Sequence, residues 1–186
     1  MKKLVILASG LAVLVGLSVT GTKVATAQVN SNDANVALVD NCDPATFNAT
    51  VGPGTCATTP HRHDTPFQEF LGLLFSPLAQ NIIGHPAWNF SPGYISVRAG
   101  QTVRATNAGG ELHTFTEVTA FGGGVVPFLN GVGGPAGTAP LDFAPACGGA
   151  AFVAPGVTTQ IKGLAPGVHK FQCCIHPWMR AVVDVE

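Results

Sequence analysis

Residues near the C-terminal end of the chain combine three side chains that bind soft metal ions. Residues 173–179 read CCIHPWM, so Cys173, His176 and Met179 follow the spacing Cys-x2-His-x2-Met. A second imidazole, that of His113, lies far upstream in the segment ELHTF. Two histidines, one cysteine and a weak axial methionine are the ligand set of blue-copper electron-transfer sites. The spacing therefore indicates a copper ion that alternates between Cu(II) and Cu(I).

The same residues permit a simpler interpretation, in which a disulfide cysteine lies beside an ordinary histidine and a core methionine. The chain has two methionines, and one of them is Met1. A methionine three residues after His176 is therefore better explained by a metal site than by chance. His113 alone would be a structural histidine, and only the downstream motif favours it as a ligand.

The elements that must position these side chains are predicted as β-strands. Alternating, β-branched and aromatic residues predict strands over residues 94–99, 102–106, 112–118, 158–162, 168–173 and 180–185. Evenly spaced strands without intervening long helices indicate an antiparallel sandwich or barrel. The CCIHPWM segment then joins the last two strands, and His113 lies in the third.

The remaining segments have weaker patterns. Residues 28–60 are polar and are predicted to be irregular, whereas Pro66 to Ile83 carry apolar residues at the spacing of a short amphipathic helix. Residues 119–157 are rich in Gly and Pro, which predicts a long loop with short strands around Val125 and Phe152.

Residues 1–27 have the pattern of an export signal. Two lysines precede an apolar run from Leu4 to Val19, and an Ala-Thr-Ala cleavage pattern follows at residues 25–27. The run also approaches the length of a short span, so an uncleaved membrane anchor is the alternative. We expect a protein exported to the periplasm or the extracellular space, with no membrane span after cleavage.

Composition limits the remaining possibilities. The chain of 186 residues is 46% hydrophobic and 10% charged, with a net charge of −1. Removal of residues 1–27 leaves six basic and ten acidic residues, hence a net charge of −4. The sequence has no excess of basic residues of the kind that would indicate binding to nucleic acid. The predicted organisation is a signal peptide (1–27), an N-terminal extension packed on the domain (28–87) and a copper-binding domain (88–186).

The sequence around the motif resembles that of the cupredoxins, and its loop spacing is most similar to that of amicyanin and plastocyanin-like proteins. The resemblance covers roughly residues 88–186. It includes Ile95-x-Val97-x-x-Gly100-x-x-Val103, Asn107 before Gly109 and His113, and Gly163-Leu164-x-x-Gly167-x-His169-x-Phe171-x-Cys173. The sequence departs from the family pattern at Thr114, where Asn is common, and at His169, where Tyr is frequent.

The resemblance implies a Greek-key β-sandwich with one type 1 copper site whose ligands are His113, Cys173, His176 and Met179. It implies a monomeric electron carrier that is not an enzyme and that exchanges electrons with protein redox partners. Copper sequestration or delivery through the same ligands is the alternative. An oxidase or reductase would need a second copper centre with additional histidines.

Five cysteines leave one unpaired in an oxidising compartment. Side chains alternate along a strand, so Cys173 shares the face of the core residue Phe171, and Cys174 has the opposite face. Cys173 is then the ligand. Cys174 is expected to pair with Cys147, and the other two cysteines, Cys42 and Cys56, with each other.

Two further features have open interpretations. The segment from His61 to Asp64 is either a second metal site or a solvated loop. Pro177 and Trp178, with Phe128 or Leu129, either form an exposed apolar docking patch around the copper site or pack in the core.

Overall fold

The structure, a computed structural model, describes residues 33–57, 64–74, 87–131 and 141–186. The predicted signal peptide and the residues 61–63 of the possible second metal site lie outside the described residues. Among the described residues, no helix has the length and apolar character needed to cross a membrane.

Ten short strands dominate the described chain. They are β1 (Asp33–Val39), β2 (Asn89–Ser91), β3 (Tyr94–Val97), β4 (Thr102–Asn107), β5 (His113–Thr114), β6 (Thr116–Val118), β7 (Phe152–Val153), β8 (Thr158–Ile161), β9 (Gly167–Gln172) and β10 (Arg180–Val185). The helices are α1 (Pro44–Thr50), α2 (Phe67–Leu74), α3 (Pro127–Asn130) and a 3₁₀ helix (Pro145–Gly149).

The strands form two four-stranded sheets and one small ribbon. The first sheet has the order β2-β1-β4-β8, the second has the order β3-β10-β9-β6, and β5 pairs with β7. Inward residues of both sheets share one buried core, including Val36, Leu38 and Val103 from the first and Phe171 and Val183 from the second. The predicted all-β sandwich with a short helix is confirmed. Each sheet contains one parallel pair, β1–β4 and β3–β10, so the predicted antiparallel pairing holds only in part.

Strand β1 corrects the prediction that residues 28–60 are irregular. β1 pairs in parallel with β4 and antiparallel with β2, so it lies inside the first sheet. Val36 and Leu38 are buried in the core. The alternation is obscured in the sequence because Ala37 and Val39, on the opposite face, are also apolar.

The helices α1 and α2 contribute buried side chains to the main core. α1 begins after Asp43, whose carboxylate accepts hydrogen bonds from the backbone N–H groups of Ala45 and Thr46. Phe47 of α1 and Phe70 of α2 both contact the Trp88 ring. α2 is the described part of the helix predicted over residues 66–83, whereas α1 was not predicted.

The segment 119–157 contains more regular structure than predicted. β7 confirms the short strand expected at Phe152, while Val125 lies outside any strand. Gly123 forms an isolated bridge with Phe143, and the 3₁₀ helix follows.

Both predicted disulfides are present. Cys42 is bonded to Cys56 and Cys147 to Cys174, which leaves Cys173 as a buried free cysteine.

Candidate metal centre

Three segments bring the predicted donors to one end of the sandwich. His113 begins β5, Cys173 directly follows β9, and His176 lies in the loop that leads to β10. The N–H of Cys173 donates to the carbonyl of Met179 (3.0 Å), and the N–H of Met179 donates to the carbonyl of His176 (2.9 Å). These bonds close the loop between β9 and β10 tightly and hold its side chains in place.

The donor atoms of His113, Cys173 and His176 are spaced as ligands of one ion. The Cys173 sulfur lies 3.7 Å from Nδ1 of His113 and 3.9 Å from Nδ1 of His176. Metal bonds of about 2.0 Å to nitrogen and about 2.3 Å to sulfur separate two donors by about 3.5 Å at the tetrahedral angle and about 3.7 Å at the trigonal angle. All three side chains are buried.

The vicinal cysteines face opposite sides, as the strand alternation predicted. Cys173 belongs to the main core, together with Phe171. Cys174 belongs to a separate small cluster with Val118, Ala144 and its disulfide partner. The free thiol is therefore the one that faces the two imidazoles.

Thr114 supports the cysteine-bearing segment. Its backbone N–H points at the Cys173 sulfur (3.5 Å), and its hydroxyl oxygen accepts the N–H of Cys174 (2.8 Å). The hydroxyl also lies 3.5 Å from the carbonyl of Gln172. Thr114 thus bonds to the strand end beside the free thiol, although the family pattern has Asn at this position.

A buried carboxylate contacts His113 from the side opposite the thiol. Oδ2 of Asp40, directly after β1, lies 2.7 Å from Nε2 of His113. The same carboxylate accepts backbone N–H groups from Cys42 (3.2 Å), Gly110 (2.9 Å) and Glu111 (3.0 Å). A Cβ atom on Gly109 would overlap this carboxylate, so the adjacent glycine permits the close approach.

A second carboxylate lies beside His176. Oε2 of Glu111 accepts the indole N–H of Trp88 (2.5 Å) and lies 3.5 Å from Nε2 of His176. Burial, and to a lesser degree the charge of Asp40, raises the pKa of Glu111; the nearby His176 and Trp88 oppose this only in part. Each imidazole of the centre therefore has a carboxylate near its outer nitrogen.

Sequence reasoning missed Asp40 and gave Glu111 no role. Asp40 lies in the segment predicted to be irregular, and no spacing rule connects it with His113. The only sequence signal is a lone acidic residue between the apolar end of β1 and Cys42.

The electrostatics of the centre favour a thiolate. Burial opposes ionisation of Cys173, but hydrogen bonds from His113 and His176 lower the pKa of its thiol well below the ordinary range. Burial likewise opposes charge on His113, yet the hydrogen bonds to Asp40 and Cys173 raise the pKa of its imidazole to about 10. The pKa of Asp40 falls to about 2, because the bonds from His113 and from two backbone N–H groups outweigh burial. The thiolate is the form of cysteine that binds metals.

Met179 and Trp178 lie in the same core. Met179 is fully buried, and its role as an axial ligand stays a prediction. Trp178 packs edge-on against the His176 ring with the ring centres 5.4 Å apart. Pro177, Trp178 and Leu129 are all buried, so the docking patch suggested for them is wrong, and Phe128 alone of that set is exposed.

Structure comparison finds cupredoxins among the similar proteins. The "Novel Purple Cupredoxin from Nitrosopumilus maritimus" matches with a TM-score of 0.42 and 16% identity, over 83% of this chain and 100% of that chain. A Cu(I) structure of an amicyanin mutant matches with a TM-score of 0.34 and 18% identity over 53% and 73% of the two chains. A mutant fern plastocyanin matches with a TM-score of 0.36 and 18% identity over 57% and 94%. No protein-family model and no curated protein matches the chain.

All these TM-scores lie below 0.5, so the likeness alone decides neither the metal nor the function. The chain's own features are the two-sheet sandwich and the buried group of two imidazoles and one thiol. Imidazole and thiolate donors suit both oxidation states of copper. The three donors can hold one copper ion.

Proposed function

We propose that the protein is an exported single-electron carrier with one type 1 copper ion, bound by His113, Cys173 and His176 with Met179 as the weak axial ligand. The observation that carries this proposal is the convergence of two imidazole Nδ1 atoms on one buried free thiol. Among the described residues, this is the group of His, Cys and acidic side chains spaced for a metal ion.

Copper bound at this centre would supply single-electron transfer through its Cu(II) and Cu(I) states. The chain's own residues would hold the donors in one arrangement for both states. The backbone bonds between Cys173, His176 and Met179 fix the loop, and Thr114 fixes the strand end. Burial of the three donors excludes water, which limits both rearrangement and side reactions.

Export is supported by the disulfides Cys42–Cys56 and Cys147–Cys174, because such bonds persist in oxidising compartments. A protein redox partner follows from the proposal. Because all three donors are buried, electrons would pass to a protein docked on the surface rather than to a substrate bound directly to the metal.

The spectrum of the copper-loaded full chain tests the proposal. We expect an intense visible absorption band and an electron-paramagnetic signal typical of type 1 copper, together with reversible electrochemistry. Cys173→Ser should abolish the visible band, whereas His169→Gln, which changes a histidine outside the centre, should retain it. An unchanged band in Cys173→Ser would refute the ligand assignment.

Copper delivery through the same ligands makes a different prediction. A carrier of electrons should keep its copper in the presence of a competing chelator, and burial of all three donors supports slow release. Rapid handover of copper to the chelator, without reversible electrochemistry, would favour delivery over electron transfer.

A further inference from the structure

Asp40, which directly follows β1, contributes a carboxylate to the surroundings of the metal centre. We propose that Asp40 is a positioning residue of the copper site, which fixes the orientation of His113 and stabilises Cu(II) relative to Cu(I). The inference rests on the proposed copper function and adds a residue on which the sequence motif gave no information.

The contact determines which nitrogen of His113 is available. An ionised carboxylate only accepts hydrogen bonds, so Nε2 of His113 must carry the hydrogen in its 2.7 Å contact with Asp40. Nδ1 then faces the Cys173 sulfur at 3.7 Å. Second carboxylate partners of this kind orient metal-binding imidazoles and raise their basicity.

Asp40 is itself held rigidly. Its two oxygens accept backbone N–H groups from Cys42, Gly110 and Glu111. Cys42 is further tied by its disulfide to Cys56, and β1 is hydrogen-bonded on both sides within the first sheet. Three backbone donors and one imidazole satisfy the carboxylate as an anion, so a negative charge is fixed in the buried centre.

A fixed buried anion stabilises bound Cu(II) more than bound Cu(I). Cu(II) carries one more positive charge than Cu(I), and the attraction between charges is strong where water is excluded. Glu111 lies at 3.5 Å from His176 in a similar position, but Asp40 has the shorter contact and more hydrogen bonds. Asp40 is therefore expected to have the larger effect on the balance between the two states.

Asp40→Asn removes the negative charge, keeps the size of the side chain and retains one oxygen atom that can accept hydrogen bonds. Competition titrations measure the binding constants of Cu(II) and Cu(I). The Cu(II) constant divided by the Cu(I) constant should fall at least tenfold, and a tenfold fall is equivalent to a reduction potential about 59 mV higher. The matched control is Asp33→Asn, which removes a carboxylate paired with Arg104 at the other end of β1. The control should leave the ratio unchanged.

An unchanged ratio in Asp40→Asn, or an equal change in Asp33→Asn, would overturn the inference. A wild-type chain that binds neither copper ion would instead refute the proposed function. The two failures are therefore distinguishable.

A second measurement does not require the variant to fold. Nitrogen-15 NMR of the wild-type chain loaded with Cu(I), which is diamagnetic, should show a slowly exchanging proton on Nε2 of His113 and metal coordination at Nδ1. Coordination through Nε2, or rapid exchange of its proton, would contradict the role of Asp40.

Discussion

Thr114 illustrates how single side chains stabilise the centre. Its hydroxyl oxygen accepts the N–H of Cys174, while its own N–H points at the Cys173 sulfur. Both contacts are buried, so neither group could find water if its partner were removed. Thr114 therefore makes hydrogen bonds to both cysteines that follow β9, the free Cys173 and the disulfide-bonded Cys174.

Thr114→Val should destabilise the protein by about 1–3 kcal/mol, because the buried N–H of Cys174 would lose its acceptor. Chemical denaturation of the copper-free chain measures the change in the free energy of unfolding. Thr158→Val is the matched control, since its hydroxyl pairs with Thr106 in a partly exposed position and should cost about 0.5–1.5 kcal/mol or less. Equal effects of the two substitutions would argue against a special role for Thr114.

At the scale of elements, the β6–β9 pair carries an ion pair outside the centre. Nδ1 of His169 lies 2.6 Å from Glu117, and Nε2 lies 2.8 Å from the carbonyl of Ala165. Only the charged imidazolium can donate from both nitrogens. The hydrogen bond to Glu117, aided by that to Ala165, accordingly raises the pKa of His169.

This pair should make stability depend on pH. A pKa that is raised on folding gives a stabilisation that is fully present below the unfolded value, near 6.5, and is lost as the pH rises through the folded value. The difference in melting temperature between wild type and Glu117→Gln should therefore be larger at about pH 6 than at about pH 9. Asp184→Asn, at an exposed contact with Tyr94 between β10 and β3, serves as control and should show no such trend. A constant difference across this range for Glu117→Gln would contradict the expectation.

The elements also show what the sequence could predict. β4, β8, β9 and β10 lie within one or two residues of their predicted bounds, and β4 and β10 show a clear alternation of buried and less buried residues. β1 escaped detection because apolar residues occupy both of its faces, and its neighbours β2 and β4 come much later in the chain. Local patterns determine strands, but the pairing partner of a strand is a property of the whole fold.

The residues of the candidate site likewise include some that local spacing predicts and others that it does not. Cys173 and His176 are three residues apart on one loop, so their spacing alone predicted the donor pair, and strand alternation separated Cys173 from Cys174. Asp40 and Glu111 act through hydrogen bonds to residues distant in sequence or to ring nitrogens, and no local spacing records such contacts.

On the scale of the whole molecule, the metal centre and the groups around it lie where the two sheets and the β5–β7 ribbon meet. Their residues come from the end of β1, from β5 and from the β9–β10 loop. The segments that carry the ligands, β5 and the β9–β10 loop, meet only in the folded state, so a metal bound by both binds the native protein in preference to the unfolded chain.

Copper should therefore raise thermal stability. At free Cu(I) a thousandfold above the dissociation constant, linkage adds about 4 kcal/mol to the free energy of unfolding, less any binding to the unfolded chain. Calorimetry of the copper-free and Cu(I)-loaded protein under anaerobic conditions measures the shift in melting temperature. His113→Ala should lose most of the shift, and His169→Ala should keep it. A melting temperature independent of copper in the wild type would contradict a native metal centre.

The separation of the centre along the chain has a consequence for its assembly. Asp40 and His113 are 73 residues apart, and His113 and Cys173 are 60 apart. Closing such long loops costs chain entropy before the contacts can stabilise the fold, which slows the formation of these contacts. We therefore expect the group of donors to be complete only when β9 and β10 have docked, so that the metal is acquired late in folding and does not act as a nucleus for it.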